Sequence, residues 1–359
     1  MSTQTERPTG TVGPPHQVLT PSGTLRSSAP MTAEQIAAAY RAMRLSHLLD
    51  KRLVSLSRRD AIGTYPPIEG QEAAAVGSAF ALDPAQDWIV PSYREQGALL
   101  QHGLPIDNLI ATYFGRLDAA RIPDGLNMLT RQQAIGSQIS HAVGLAWGLR
   151  LRRTGGVVLG YFGDGASSEG DFHEAANLAG VRKAPVVLFL QNNGWAISVP
   201  TAMQTAAASL AARGPGYGFP GVRVDGNDLL AVYEVTRDAV ARARRGDGPT
   251  LIEACTYRLN VHNTADNPRR YRDGAEESAA RAVEPLARVR AYLLAAGVLD
   301  EEALTEMDAE LTGLIDAAVA RVQALPRPAP ASIAEHVYAE LPAGLAAAAA
   351  SALKQTGSW

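Results

Sequence analysis

The sequence predicts an α/β fold built on a mostly parallel, doubly wound sheet flanked by helices, with a helical C-terminal extension. Three observations carry this reading. Residues 156–162 (GVVLGYF) and 184–190 (APVVLFL) are short, wholly apolar runs, the pattern of strands buried on both faces. A helical stretch over 168–178 separates them. Residues 222–224 and 250–257 repeat the strand pattern around a helix expected over 228–245. Strands alternating with helices imply parallel pairing through crossover connections.

Taken in order, residues 1–30 are rich in Pro, Gly, Ser and Thr without periodicity, and are expected to be a disordered arm. Thr32 is a candidate N-cap, with Gln35 completing a capping box. Ile36, Tyr40, Met43, Leu45, Leu49, Leu53 and Leu56 then keep helical spacing to about Arg58. Residues 71–82 and 136–152, rich in Ala and Gly, also read as helices. Beyond the sheet, helices are expected at 283–296, 301–324 and 332–353, with Pro326, Pro328 and Pro330 between the last two. The organisation is therefore an arm over 1–30, a sheet domain over 31–280 and a helical extension over 281–359.

Composition narrows the function. The chain has 359 residues and a formal net charge of −3, which gives no support for nucleic acid or a polybasic membrane contact. Three lysines (Lys51, Lys183, Lys354) stand against thirty arginines. The single cysteine, Cys255, excludes an internal disulfide and a cysteine-based zinc site. No apolar run reaches membrane-spanning length, and the N-terminus lacks a signal-peptide pattern. The expected location is the cytoplasm.

The chemistry concentrates between Gly163 and Asn193, GDGASSEGDFHEAANLAGVRKAPVVLFLQNN. Asp164 lies just past one strand and Asn193 just past the next. In a strand–helix–strand unit the two meet at the carboxyl edge, where doubly wound sheets bind ligands. A carboxylate and a carboxamide oxygen suit Mg²⁺, which keeps some phosphate or water ligands. Gly163 and Gly165 let backbone approach a ligand, and the following helix N-terminus can face a phosphate. A diphosphate clamped through one Mg²⁺ fits these features.

GDG followed about thirty residues later by NN resembles the thiamine-diphosphate signature. The chain is more closely similar to the alpha subunits of the thiamine-diphosphate-dependent 2-oxo acid dehydrogenases over about residues 35–310. The motifs are GQEAAAVGSAF (70–80), PSYREQG (91–97), IPDGLNM (122–128), IGSQISHAVG (135–144), QNNGWAIS (191–198) and NVHNTADNPRRYR (260–272). The resemblance implies a thiamine-diphosphate-binding fold. It implies side-chain Mg²⁺ ligation by Asp164 and Asn193, with the carbonyl of Trp195 as backbone ligand. Gly163, Gly165 and Ala166 would line the diphosphate and aminopyrimidine, and Tyr93 and Arg94 would reach the diphosphate. Gln133 is a further cofactor-binding position, and Ile135 would hold the two rings bent. Ser137 and Gln138 match a structural monovalent-cation (K⁺) loop of some relatives. His262, in a polar loop from Arg258 to Gly274, matches the active-site histidine that contacts the diphosphate side and aids reductive acylation. His141 and His173 read as structural.

Some positions depart from the family pattern. Asn263 stands where relatives carry a Ser or Thr that is a phosphorylation switch in some members. Gln191 replaces an Arg found in some branched-chain enzymes. Thr64 replaces an aromatic beside the substrate, and Trp195 stands where Tyr or Phe is usual.

The implied reaction is oxidative decarboxylation of pyruvate or a branched-chain 2-oxo acid, with acyl transfer to the lipoyl group of an acyltransferase component. Thiamine enzymes need a second domain for the aminopyrimidine, and residues 280–359 are too short to supply it. A beta-subunit partner in a heterotetramer of two alpha and two beta chains is therefore expected. The alternatives are an acetoin dehydrogenase alpha subunit, a Mg²⁺-dependent phosphoryl-transfer enzyme and a non-catalytic subunit retaining the fold. The second lacks a Gly-rich loop ending in Lys-Ser/Thr.

Overall fold

The computed structural model describes residues 13–116, 121–326 and 338–355. Among them the chain forms seven strands: β1 (Trp88–Val90), β2 (Val158–Gly163), β3 (Val186–Asn192), β4 (Trp195–Ala196), β5 (Val199–Pro200), β6 (Gly221–Asp225) and β7 (Thr250–Cys255). Five make one sheet in the order β1-β2-β3-β7-β6, with every pair parallel. β4 and β5 form a separate antiparallel hairpin.

The helices are α1 (Ala33–Arg58), α2 (Glu72–Phe80), α3 (Gln96–Gln101), α4 (Ile106–Tyr113), α5 (Ser137–Arg152), α6 (Gly170–Arg182), α7 (Arg213–Gly216), α8 (Leu229–Arg244), α9 (Gly274–Arg281), α10 (Pro285–Ala295), α11 (Glu301–Gln323) and α12 (Ala343–Gln355). None of them is long and apolar enough to cross a membrane.

The period of two along each strand divides the interior into two layers. Val158, Phe162, Val186, Leu188, Leu190 and Leu251 pack with Ile139, Ala142 and Val143 of α5 and Phe172 and Ala176 of α6. Leu159, Tyr161, Val187, Phe189, Ile252 and Ala254 join a larger cluster with α1, α2, α8, α10 and α11 on the other face. Gly160 lets α5 lie close on β2, because a Cβ there would come within 2.8 Å of the Ala142 Cβ. The doubly wound expectation therefore holds, with both faces covered.

α1 begins at Thr32, whose side chain and that of Gln35 form the expected capping box. α10 and α11 bury Leu286, Val289, Leu293, Leu304, Ile315, Val319 and Val322 in the same cluster as α1 and α2. They are thus part of the main core, and packing continues across residue 280. The helix expected over 332–353 is seen as α12, from Ala343; residues 332–337 of that expectation lie outside the described residues. β1, β4, β5, α3, α4, α7 and α9 have no counterpart in the sequence reading. The strands, α3 and α7 are too short to show a period, whereas α4 and α9 run for two turns.

The disordered arm expected over 1–30 is corrected for residues 13–30, while residues 1–12 lie outside the described residues. His16 bridges Val224 in parallel, extending the sheet beside β6. Val18 and Leu19 are fully buried, and both their amides donate to Asp228 Oδ2 at 2.7 Å. Arg288, itself buried, holds Asp225 at 2.8 Å and the Leu19 carbonyl at 3.3 Å. Two apolar side chains and a buried carboxylate outweigh the arm's Pro- and Ser-rich composition.

Asp228 Oδ1 also accepts the Leu230 and Ala231 amides, capping α8. One carboxylate thus serves a helix N-terminus and the arm together. Asp228→Ala should lower unfolding stability by about 2–4 kcal/mol, read by urea denaturation, since it removes a cap and orphans two buried amides. A change under about 0.5 kcal/mol would show that the arm's anchoring is of no consequence.

Candidate active site

The β2–β3 register pairs Gly163 with Gln191. Asp164 and Asn193 therefore emerge side by side at the carboxyl edge, as the strand spacing anticipated. The chain after Asp164 turns first through a 3₁₀ helix, Gly165–Ser168, and α6 begins only at Gly170. Gly165 is required there, because a Cβ would lie 2.9 Å from that of Ala196 on the hairpin.

Asp164 is almost wholly buried. Its Oδ2 accepts the Gln204 amide at 2.6 Å and lies 3.4 Å from the Thr201 hydroxyl. Burial pushes its carboxyl above the usual carboxylate range, opposed by these hydrogen bonds. Asn193 Oδ1 accepts the Trp195 amide at 3.2 Å, and its Nδ2 donates to Gln71 Oε1 at 3.3 Å. Asn192 braces the turn from below, donating to buried Glu253 at 2.8 Å. The Trp195 carbonyl accepts from Arg258 at 3.2 Å, and the indole N–H donates to Glu276 at 3.1 Å.

The tight turn of the β4–β5 hairpin carries Ile197 at φ 55°. A β-branched residue in the left-handed region is strained by about 1–3 kcal/mol. Arg258 holds it, donating to the Ile197 carbonyl at 2.6 Å.

Tyr93, Arg94, Gln133, Ile135, Gly163, Asp164, Gly165, Ala166, Asn193, Trp195 and His262 all line one cleft of about 710 Å³. Thr64, Gln191 and Asn263, the positions that depart from the family pattern, line it too. Ser137 and Gln138 are not among its lining residues. Gln138 donates to the Tyr161 carbonyl at 3.2 Å, and its Oε1 is buried without a partner. His173 pairs with the Tyr217 hydroxyl away from the cleft.

Arg94 is buried and lies over the Tyr93 ring. It donates to the Pro67 carbonyl at 2.6 Å, the His262 carbonyl at 2.8 Å and His262 Nδ1 at 3.0 Å. Because Arg94 can only donate, Nδ1 must accept, and neutral His262 carries its proton on Nε2. Burial, then Arg94, then Arg258 push the His262 imidazole down to about 4. Asp266 fixes the loop, accepting from the His262 amide at 2.7 Å and the Tyr271 hydroxyl at 2.5 Å. Asn263 Oδ1 accepts the Ala265 amide at 3.0 Å, which gives this residue a local turn-forming role.

Four residues of the site were not singled out from the sequence: Gln71, Glu95, Gln204 and Arg258. Glu95 is buried beneath the cleft, accepts from Gln191 at 2.8 Å and is pushed up to about 7 by burial. Gln71 and Glu95 sit within the GQEAAAVGSAF and PSYREQG motifs. Arg258 lies three residues past the end of β7, yet among thirty arginines nothing marks it. Gln71 Nε2, Gln191 Oε1 and Gln204 Oε1 are buried at the cleft with no partner. Unpaired buried donors and acceptors beside a carboxylate and an Arg are what a hydrated cation and a phosphate ester would satisfy. The residues present fit such a group.

His262 should titrate well below pH 6, and its neutral form should show the Nε2–H tautomer; ¹⁵N NMR of labelled histidine checks both. Its folded value lies below the unfolded one, so its contribution to stability is present above about pH 6.5 and is lost as pH falls through about 4. A midpoint at or above 6.5 would contradict the Arg94–His262 geometry.

Residues 40–331 match the family described as the dehydrogenase E1 component. The pyruvate dehydrogenase E1 component subunit alpha of Staphylococcus epidermidis is 39% identical over 317 residues, covering 88% of this chain and 85% of its own length. That of Staphylococcus aureus is 38% identical over the same shares. With the GDG and NN strand ends side by side and the family match spanning most of the sequence, the chain belongs to the dehydrogenase E1 component family.

Proposed function

We propose that this chain is the alpha subunit of a thiamine-diphosphate-dependent 2-oxo acid dehydrogenase acting on pyruvate or a branched-chain 2-oxo acid. The observation that carries the reading is the meeting of Asp164, Asn193 and the Trp195 carbonyl at one strand edge, with His262 in the same cleft. The curated relatives, named for pyruvate, favour pyruvate.

Asp164, Asn193 and the Trp195 carbonyl would hold Mg²⁺, an oxygen set that suits a hard cation. Gly163, Gly165 and Ala166 give backbone access to the diphosphate, and Tyr93, Arg94 and Gln133 close its side of the cleft. Arg94 brings a fixed charge, since a guanidinium stays protonated at any working pH. Ile135, nearly half exposed at the cleft, offers an apolar support for the cofactor rings. The cofactor, when bound, supplies a nucleophilic carbon and an electron sink for decarboxylation. Neutral His262, with its proton on Nε2, offers a hydrogen-bond donor to the group that gains charge during acyl transfer to a lipoyl arm. Gln138, with its unpaired oxygen, and Ser137 are the position for a structural K⁺.

The beta subunit is proposed to supply the missing wall in a heterotetramer of two alpha and two beta chains. Ile135, Ile197 and Val199 are exposed apolar residues that line the cleft, and Met203, four residues beyond Val199, is largely exposed. An apolar rim at a polar site is the mark of a covered surface.

With the beta partner present, His262→Ala should lower lipoyl acylation by on the order of 10²-fold while thiamine diphosphate affinity changes only a few-fold. Unchanged acylation removes the role. Steady-state kcat/KM for pyruvate, 2-oxoisovalerate and acetoin decides the substrate, and the chain alone should show almost no turnover.

A further inference from the structure

The segment after the β4–β5 hairpin folds back onto Asp164. Gln204 Nε2 donates to Asp164 Oδ2 at 2.6 Å and to the Val199 carbonyl at 3.3 Å. Both acceptors fix the amide's orientation, because a flipped amide would set oxygen against the carboxylate. Thr201 adds to the brace, its hydroxyl 3.0 Å from Asn192 Oδ1 and 3.4 Å from Asp164 Oδ2. Among the described residues, no side chain donates to Asp164 Oδ1. Gln204 Oε1 is buried, lines the cleft and has no partner.

We propose that Gln204 is a positioning residue that selects the cation: by occupying Oδ2 it makes Asp164 a one-oxygen ligand, which favours Mg²⁺ over Ca²⁺. The inference rests on the reading above that a cation sits at Asp164. Mg²⁺ demands near-octahedral geometry, with short contacts and retained waters, whereas Ca²⁺ accepts two-oxygen carboxylates and more ligands. With Oδ2 engaged at 2.6 Å, the two-oxygen mode is disfavoured relative to ligation through Oδ1 alone. The unpaired Gln204 Oε1 is an acceptor placed for a water that Mg²⁺ keeps. The strap thus uses both ends of one amide, the nitrogen to restrict the carboxylate and the oxygen to receive the hydration shell.

The test is calorimetric titration of MgCl₂ and of CaCl₂ into the assembled alpha–beta enzyme with thiamine diphosphate. Wild type, Gln204→Met and Gln204→Asn are compared. Met keeps the volume and removes the amide. Asn keeps the amide, one methylene too short to reach. Wild type should prefer Mg²⁺, and each variant should narrow the Mg²⁺/Ca²⁺ affinity ratio by roughly tenfold, by strengthening Ca²⁺ as the two-oxygen mode opens and weakening Mg²⁺ as its water acceptor is lost, the scale of one lost hydrogen bond to a charged group. A merely structural role for Gln204 would weaken both ions alike, so a ratio unchanged or widened in both variants overturns the proposal. A wild-type enzyme that binds neither ion with thiamine diphosphate present overturns the cofactor reading, and the proposal with it.

Discussion

The parallel pairing of β2 with β3 is the constraint on which the rest depends. Six consecutive residues of each strand are paired, from Val158 with Val186 to Gly163 with Gln191. A slip of one residue would turn every side chain to the opposite layer, so the apolar runs fix the register strongly. That register, set by packing far from any chemistry, brings Asp164 and Asn193 together. β7 continues it, since Asn192 pairs with Cys255 and the chain leaves that edge toward Arg258 and His262.

The site is an electrostatic balance held out of water. Burial first, then the two buried arginines Arg94 and Arg258 that converge on it, keep the His262 imidazole neutral. Two buried carboxyls, Glu95 and Asp164, are pushed up for want of solvent. Charges of both signs therefore face the same cleft without pairing directly. A diphosphate with its cation carries both signs too, and such a ligand matches this pattern better than a lone anion or a lone metal.

Much of this was legible in the sequence because it rests on local pattern. The apolar runs gave the strands to within a few residues, Thr32 and Gln35 gave the start of α1, and strand-end spacing placed Asp164 beside Asn193. The hidden parts rest on contacts distant in sequence. Val18 and Leu19 read as disordered because their anchor, Asp228, lies some two hundred residues away. Arg258 and Gln204 carry no local period, and only the folded chain shows what they touch. Short elements such as β1 and α3 take their shape from tertiary packing, which overrides weak propensity.

Ile197 has a consequence beyond its own strain. A side chain that resists the left-handed region needs an outside hold, and Arg258 supplies it while also reaching the Trp195 carbonyl and touching His262. The hairpin and the histidine loop are joined through one guanidinium, so each helps to hold the other in place. The Asp164–Asn193 side of the cleft and the His262 side are thus tied to each other through Arg258.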